Sequence, residues 1–264
     1  MRWLLLDAGN TRLKWAIWDA NPNSQLDKRA RLHNIGECRY SCDALLTHLN
    51  VLWSSLPDID NVLLANVADT AIESVIQCYI SKRWGLKLKI MSTPGEGNGI
   101  KNGYSRSQQL GVDRWAAMLG GWNARPVAGP LWVVDCGTAV TIDFVDMTGQ
   151  HQGGLILPGL AMMTDQLTGV THKMSAVADS SSEQNKSAAV IGSLAQDTDA
   201  AVRSGVYTSL VSAIDRSVHD LQGESILMIT GGDGASLYPL LKGDWVYRPQ
   251  LVLEGMAIYA EDCA

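Results

Sequence analysis

The chain has 264 residues, 46% of them hydrophobic and 18% charged, with a formal net charge of −6. That is enough apolar material for a sizeable core and two ordinary domains, and it excludes a disordered chain. A mildly acidic sequence without a Lys/Arg cluster argues against nucleic-acid or membrane-surface binding, and no apolar run approaches the roughly 20 residues of a membrane-crossing helix. The N-terminal stretch lacks the basic, apolar and cleavage regions of a secretory signal, since Asp7 interrupts its first apolar run. Cys38, Cys42, Cys78, Cys136 and Cys263 are odd in number and scattered, which fits a reducing compartment. A cytoplasmic protein is the expectation. His33, Cys38, Cys42 and His48 lie near one another, but their spacing matches no zinc-finger pattern.

In chain order, Leu4 to Asp19 reads as a buried strand, a tight polar turn at Gly9-Asn10-Thr11, and a second strand alternating through Leu13, Trp15 and Ile17. Such a turn offers backbone N–H groups, a hydroxyl and an amide to an oxyanion. Lys14 adds positive charge, and Asp7 can hold a metal or its water. Taken alone, the same residues also fit a plain hairpin. Asn21 to Ser24 is a turn, and residues 29–36 form a third strand. A helix follows from Ser41 through Ala44, Leu45, Leu49 and Leu52. Residues 61–67 make a strand. Asp69 then caps a helix whose apolar face is Ile72, Val75, Ile76, Tyr79 and Ile80, closed by Gly85. Residues 86–91 form a fifth strand, Thr93 to Gly103 an irregular glycine-rich loop, and Leu110 to Ala124 a helix. Residues 125–130 read as a linker.

Beyond Pro130 the pattern restarts. Leu131 to Asp146 repeats an apolar strand ending on Asp, a Gly-Thr turn and a second strand. A third strand runs over residues 152–157, then a helical stretch and a Ser-rich segment from Ser175 to Ser187 that reads as a surface loop. A long amphipathic helix is expected over 189–221, a strand over 225–230, the turn Gly231-Gly232-Asp233-Gly234, a short helix over 235–241, a brief strand over 245–247 and a closing helix over 250–261. Each half thus reads three strands, helix, strand, helix, strand, helix. The pattern predicts two α/β domains of one topology, residues 1–126 and 127–264, with an interdomain cleft between two Asp/Gly/Thr turns that could grip a polyphosphate.

Five motifs then occur in order: Asp7-x-Gly9-Asn10-Thr11-x-x-Lys14; Gly111-Val112-Asp113-Arg114-Trp115; Asp135-Cys136-Gly137-Thr138-Ala139-x-Thr141-x-Asp143; Gly153-Gly154-x-Ile156-x-Pro158-Gly159; and Thr230-Gly231-Gly232-Asp233. Together they span almost the whole chain, and the set resembles a type III pantothenate kinase of the acetate/sugar kinase–Hsp70–actin superfamily. The resemblance implies two duplicated ribonuclease-H-like domains of the actin-like ATPase kind. It implies a transferase that phosphorylates pantothenate with ATP to 4′-phosphopantothenate at the entry to coenzyme A biosynthesis. It further implies a homodimer, Mg²⁺ with the ATP, and a monovalent cation, K⁺ or NH₄⁺.

Carried over residue by residue, the resemblance makes Asp7, Ala8, Gly9, Asn10, Thr11, Arg12, Leu13 and Lys14 the ATP phosphate loop, with Asp7 a candidate Mg²⁺ ligand. Asp113 becomes the base that takes the acceptor hydroxyl's proton, a role that suits a carboxylate able to orient an alcohol. Arg114 belongs to the acceptor site, where a guanidinium can pair with a carboxylate, alongside Tyr104, Gly111 and Val112. Asp135 is the monovalent-cation ligand, Thr138 an ATP contact, and Thr198 an acceptor contact reaching in from the partner subunit. Read as residues alone, Asp113 also suits a helix N-terminus, and Asp197 or Thr198 a helix cap. Asp143 reads as a second Mg²⁺-associated carboxylate. The rival functions are a kinase of another small alcohol, and a kinase-like accessory factor for transcription without kinase activity.

Overall fold

The computed structural model describes residues 1–20, 31–174, 191–192, 194–219 and 225–263. The turn at Asn21 to Ser24, the Ser-rich segment and both ends of the helix expected over 189–221 lie outside the described residues. Two compact units emerge, neither contiguous in sequence. One holds residues 1–131, 143–153 and 250–264, the other residues 132–142 and 154–249.

The first unit is built on strands β1 (Arg2–Ala8), β2 (Arg12–Asp19), β3 (Leu32–Arg39), β4 (Asn61–Asn66) and β5 (Leu88–Ile90), in the spatial order β3-β2-β1-β4-β5. β1 and β2 are antiparallel, as the short turn between them requires, and β3 pairs antiparallel with β2; β4 and β5 return through helices and run parallel to β1. β3 lies a few residues later than the alternation suggested. Helix α1 (Cys42–Leu52) follows it, and α2 (Thr70–Trp84) joins β4 to β5. Asp69 caps α2 by accepting from the Ala71 N–H at 2.8 Å, and Gly85 ends it at φ 69°.

Alternation decides what each sheet face meets. Leu4, Leu6, Leu13, Trp15, Ile17, Val62 and Leu64 share one core with Leu45, Leu49 and Trp53 and with Ile72, Ile76 and Ile80 of α2. Trp15, Trp53, Tyr79 and Trp84 meet edge to face at 5.5–6.0 Å in that core. The opposite face, with Trp3, Leu5, Ala16, Trp18 and Leu63, is also buried, and α3 (Val112–Asn123) and α7 (Leu251–Asp262) pack on this sheet. α3 and α7 meet through Gly120 and Gly255. A Cβ at either would run into the other helix's backbone, at Leu251 O or Ala116 O.

The stretch expected to be irregular, Thr93 to Gly103, contains a small hairpin, β6 (Glu96–Gly97) and β7 (Ile100–Lys101). Its two-residue turn puts Asn98 at φ 52° and Gly99 at φ 83°. Asn-Gly is the pair that such a left-handed turn selects.

The second five-stranded sheet runs β10-β9-β8-β11-β12, the order of the first repeated. Its strands are β8 (Leu131–Cys136), β9 (Ala139–Val145), β10 (His151–Pro158), β11 (Ile226–Thr230) and β12 (Trp245–Tyr247). Its helices are α4 (Leu160–Met174), α5 (Thr198–His219) and the short α6 (Gly234–Leu237). α5 starts later than residue 189 because Asp197 stops it: the carboxylate accepts from the Ala200 N–H at 2.8 Å. Among the described residues no helix is long and apolar enough to cross a membrane, and no group of three or more His, Cys, Asp or Glu could hold a metal ion.

Candidate active site

Asp7, next to last in β1, lies directly opposite Lys14 of β2, so carboxylate and ammonium share the sheet face on which α3 and α7 pack. The Gly9 N–H closes the turn on Arg12 O at 3.0 Å, and Tyr40 donates its hydroxyl to Gly9 O. Asn10 and Thr11 are exposed at the apex. The other residues of the expected phosphate loop offer less. Ala8 and Leu13 are buried in the α1/α2 core, and the Arg12 guanidinium pairs with Glu37 of β3.

The start of α3 is fixed from upstream. Thr93, just after β5, donates its hydroxyl to Leu110 O at 3.0 Å. Gly111 occupies the cap position, and its lack of a side chain leaves room for Asp113, whose Oδ1 would lie 2.6 Å from a Cβ there. Val112 is buried beside it. Asp113 Oδ1 accepts from the Arg114 N–H at 2.7 Å. Burial raises the Asp113 carboxyl above the usual carboxylate range, and it outweighs the lowering by the Arg114 N–H and guanidinium.

Arg114 is almost fully buried and already committed. Its Nε donates to Asp143 Oδ2 at 2.9 Å, its Nη2 to Asp143 Oδ1 at 2.6 Å and its Nη1 to the Tyr104 hydroxyl at 2.9 Å. Burial pulls the guanidinium pKa down, but Asp143 more than offsets it and Arg114 stays charged. Asp143 is 2% exposed and also meets His151 Nε2 at 2.9 Å. Reading it as a second Mg²⁺-associated carboxylate is therefore corrected. Its oxygens are enclosed by Arg114 and His151, with no open side for a metal.

Tyr104 is held by its loop. Asn102 accepts from the Tyr104 N–H at 2.9 Å and donates its amide to Pro94 O and Ser107 O. Gly103 lies so close to His151 O that a Cβ would collide, and Gly149 approaches Gly99 O in the same way. The hairpin loop thus docks by backbone on residues 147–153.

In the second unit, β8 delivers Asp135 and Cys136 to a turn closed by the Gly137 N–H on Ala139 O at 3.0 Å. Thr138 is exposed there, while its carbonyl accepts from the Gly159 N–H at the start of α4. Gly231, at φ 91°, abuts Cys136 O and Asp135 Oδ1, and the Asp233 N–H donates to Cys136 O at 3.0 Å. Burial first, then Asp135 and Asp233, push the Cys136 thiol well above its ordinary range, so it is no nucleophile. Thr198 is the exposed first residue of α5; the capping falls to Asp197.

The Pan_kinase family model, described as type III pantothenate kinase, matches residues 3–220. The chain belongs to the type III pantothenate kinase family. A type III pantothenate kinase of Nitrosococcus oceani is 32% identical, covering 98% of this chain and 94% of its own, and one of Alkalilimnicola ehrlichii is 34% identical, covering 98% of both. Among solved structures, a putative Baf family transcriptional activator from Campylobacter jejuni aligns at TM-score 0.57 and 21% identity over 98% of both chains. The ADPNP-bound activator of 2-hydroxyisocaproyl-CoA dehydratase from Clostridium difficile aligns at TM-score 0.55 and 13% identity, over 99% of this chain and 95% of its own. At those identities the structural likeness establishes the fold alone, the actin-like ATPase arrangement that the resemblance implied.

Within this pantothenate kinase family member, the sequence reading left out His151 and misassigned Asp143. The signal for His151 was weak: a strand-edge histidine whose period-2 position turns it inward, with Gln152 outside. For a divalent metal, the donor set at β1 fits what a kinase needs. One strand-end carboxylate, Asp7, suffices where Mg²⁺ takes its other ligands from phosphates and water. For a monovalent cation, Asp135 Oδ1 and Cys136 O lie close together against Gly231, and oxygens of this kind suit a hard ion.

Proposed function

We propose that this protein phosphorylates pantothenate with ATP to 4′-phosphopantothenate, the entry step of coenzyme A biosynthesis, with Asp113 as the base. The observation that carries this reading is the Asp113 carboxyl, raised by burial at the start of α3 and adjacent to the Arg114–Tyr104 contact. A base of raised pKa accepts an alcohol proton more readily.

The residues take complementary roles. Lys14, Asn10, Thr11 and the N–H groups of the first turn neutralise and orient phosphate oxygens, since phosphoryl transfer needs positioning more than covalent chemistry. Asp7 would hold Mg²⁺, which screens the phosphate charge when bound. Thr138 is a second ATP contact and Asp135 the ligand of K⁺ or NH₄⁺. On the acceptor side, Arg114 keeps one N–H on each of its Nη1 and Nη2 atoms beyond those given to Tyr104 and Asp143. Those N–H groups and Tyr104 meet the carboxylate or amide of pantothenate, and Gly111 and Val112 border the same place. Thr198 enters from the partner subunit, which makes the working form a homodimer.

A coupled assay of ATP consumption with pantothenate, run with K⁺ and with a bulky organic cation in its place, tests the proposal. The expected result is pantothenate-dependent turnover that K⁺ enhances. Turnover with another small alcohol and none with pantothenate would reassign the acceptor. No consumption of ATP with any acceptor would favour the transcriptional accessory role.

A further inference from the structure

One buried group lies beside the acceptor residues without a part in the chemistry above: His151, 1% exposed at the start of β10. Its Nε2 lies 2.9 Å from Asp143 Oδ1, and an ionised carboxylate only accepts, so the ring proton is on Nε2. In the neutral ring Nδ1 is then an acceptor, and among the described residues no hydrogen-bond partner reaches it. An orphaned buried polar atom is a cost to folding that apolar residues of similar volume would avoid. A stability argument gives no reason for histidine here. Geometry does.

His151 closes a circuit. Its ring stacks on Tyr104 at 5.8 Å between centroids and 13° between planes. Tyr104 accepts through its hydroxyl from Arg114 Nη1, and the guanidinium lies 5.6 Å from the Tyr104 ring centroid. Arg114 grips Asp143 with two parallel bonds, and Asp143 returns to His151. A bidentate pair makes carboxylate and guanidinium coplanar but leaves the plane free to swing about the carboxylate's own torsion. The third bond, from His151 to Oδ1, removes that freedom, and the same ring fixes the tilt of Tyr104. We propose that His151, acting through Asp143, is a positioning residue that sets the angle of Arg114 and Tyr104, and so governs affinity for the acceptor and not for ATP. The inference rests on the reading of Arg114 and Tyr104 as acceptor contacts.

Two substitutions separate ring from hydrogen bond. His151→Phe keeps a stacking ring and removes the donor; His151→Gln keeps a donor near the Nε2 position and removes the ring. With pantothenate and ATP varied separately, His151→Phe is expected to raise KM for pantothenate about tenfold, the size of one lost bond to a charged group, with KM for ATP within about twofold of the parent. His151→Gln should recover most of that loss. Combined with Tyr104→Phe, His151→Phe should be clearly non-additive, because both act on one guanidinium. Equal rises in both KM values, or an unchanged pantothenate KM beside a lowered Tm, would reduce His151 to a structural residue. The parent protein gives a readout that needs no variant to fold: its ¹⁵N-histidine side-chain spectrum should show one buried ring protonated at Nε2 and bare at Nδ1, and the opposite tautomer would overturn the circuit. A parent without pantothenate-dependent turnover would fail the functional reading itself; an active parent indifferent to both His151 substitutions would sink this inference alone.

Discussion

Burial and the helix terminus pull the Asp113 carboxyl in opposite directions, and burial wins. Because its folded pKa lies above the unfolded value, the native state holds the extra proton through the window just above the ordinary carboxylate range. Stability attributable to this group is therefore present at low pH and lost as pH rises through the folded pKa. Asp113→Asn should abolish turnover by about 10²–10⁴-fold while leaving Tm at pH 7 equal or higher, the advantage vanishing in acid. Near-normal turnover would remove Asp113 from the chemistry. In the parent, the acid limb of kcat/KM against pH should fall above the range of a free carboxylate. The Arg114–Asp143 pair makes a second prediction at this scale. Arg114→Met leaves Asp143 buried with its charge uncompensated and should cost about 3–5 kcal/mol, whereas adding Asp143→Leu should recover much of that stability and none of the activity. Chemical denaturation beside a pantothenate titration would show the split. The placement of Asp7, Lys14 and Asp113 was legible in the sequence because each sits at a predictable point of a strand, turn or helix; their roles are a separate matter for the assays above. The Arg114–Asp143–His151 contact was not, since pairing across such separations leaves no periodic trace.

Among the elements, α3 matters most, since it carries both Asp113 and Arg114 and is located by α7 through glycine. At Gly255 an added Cβ would collide with Ala116 O, and backbone cannot move aside as a flexible side chain can. Gly255→Ala should cost about 1–3 kcal/mol by overpacking, lowering Tm by several degrees at roughly 2–4 °C per kcal/mol for a chain of this size. Its activity at 25 °C should fall further than stability explains, because the start of α3 shifts with the helix; unchanged kcat in a destabilised variant would uncouple the two. Helices α1 and α2 were readable from capping residues and apolar spacing. The hairpin at residues 96–101 was missed although Asn98-Gly99 signalled it, because two-residue strands are too short to alternate visibly. The start of α5 was missed because Asp197 stops a pattern that periodicity alone would carry further back.

For the whole molecule, the duplicated sheet order was legible because each half repeats the same strand, Asp, turn, strand signature, and strands joined by a short turn run antiparallel. That α7, last in the chain, belongs with the first unit was not legible; it depends on two glycines far apart in sequence meeting in space. Assembly is a separate question, and it turns on Thr198. Exposed at the first position of α5 and relieved of capping by Asp197, its hydroxyl is available to a ligand of another subunit. If it serves the partner's acceptor site, Asp113→Asn and Thr198→Ala damage different chains of one site. Each homodimer then has two impaired sites, the first without turnover and the second about tenfold weaker at low pantothenate. A heterodimer of the two, co-expressed with different tags and purified through both, regains one intact site of its two and about half the parent activity. The second site carries both lesions and contributes nothing. Recovery on this scale cannot come from two sites each complete within one chain, because every chain in the mixture bears a defect. A co-purified heterodimer no more active than the Thr198→Ala homodimer would place Thr198 outside the partner's site, and failure of the two tagged chains to associate would exclude the dimer.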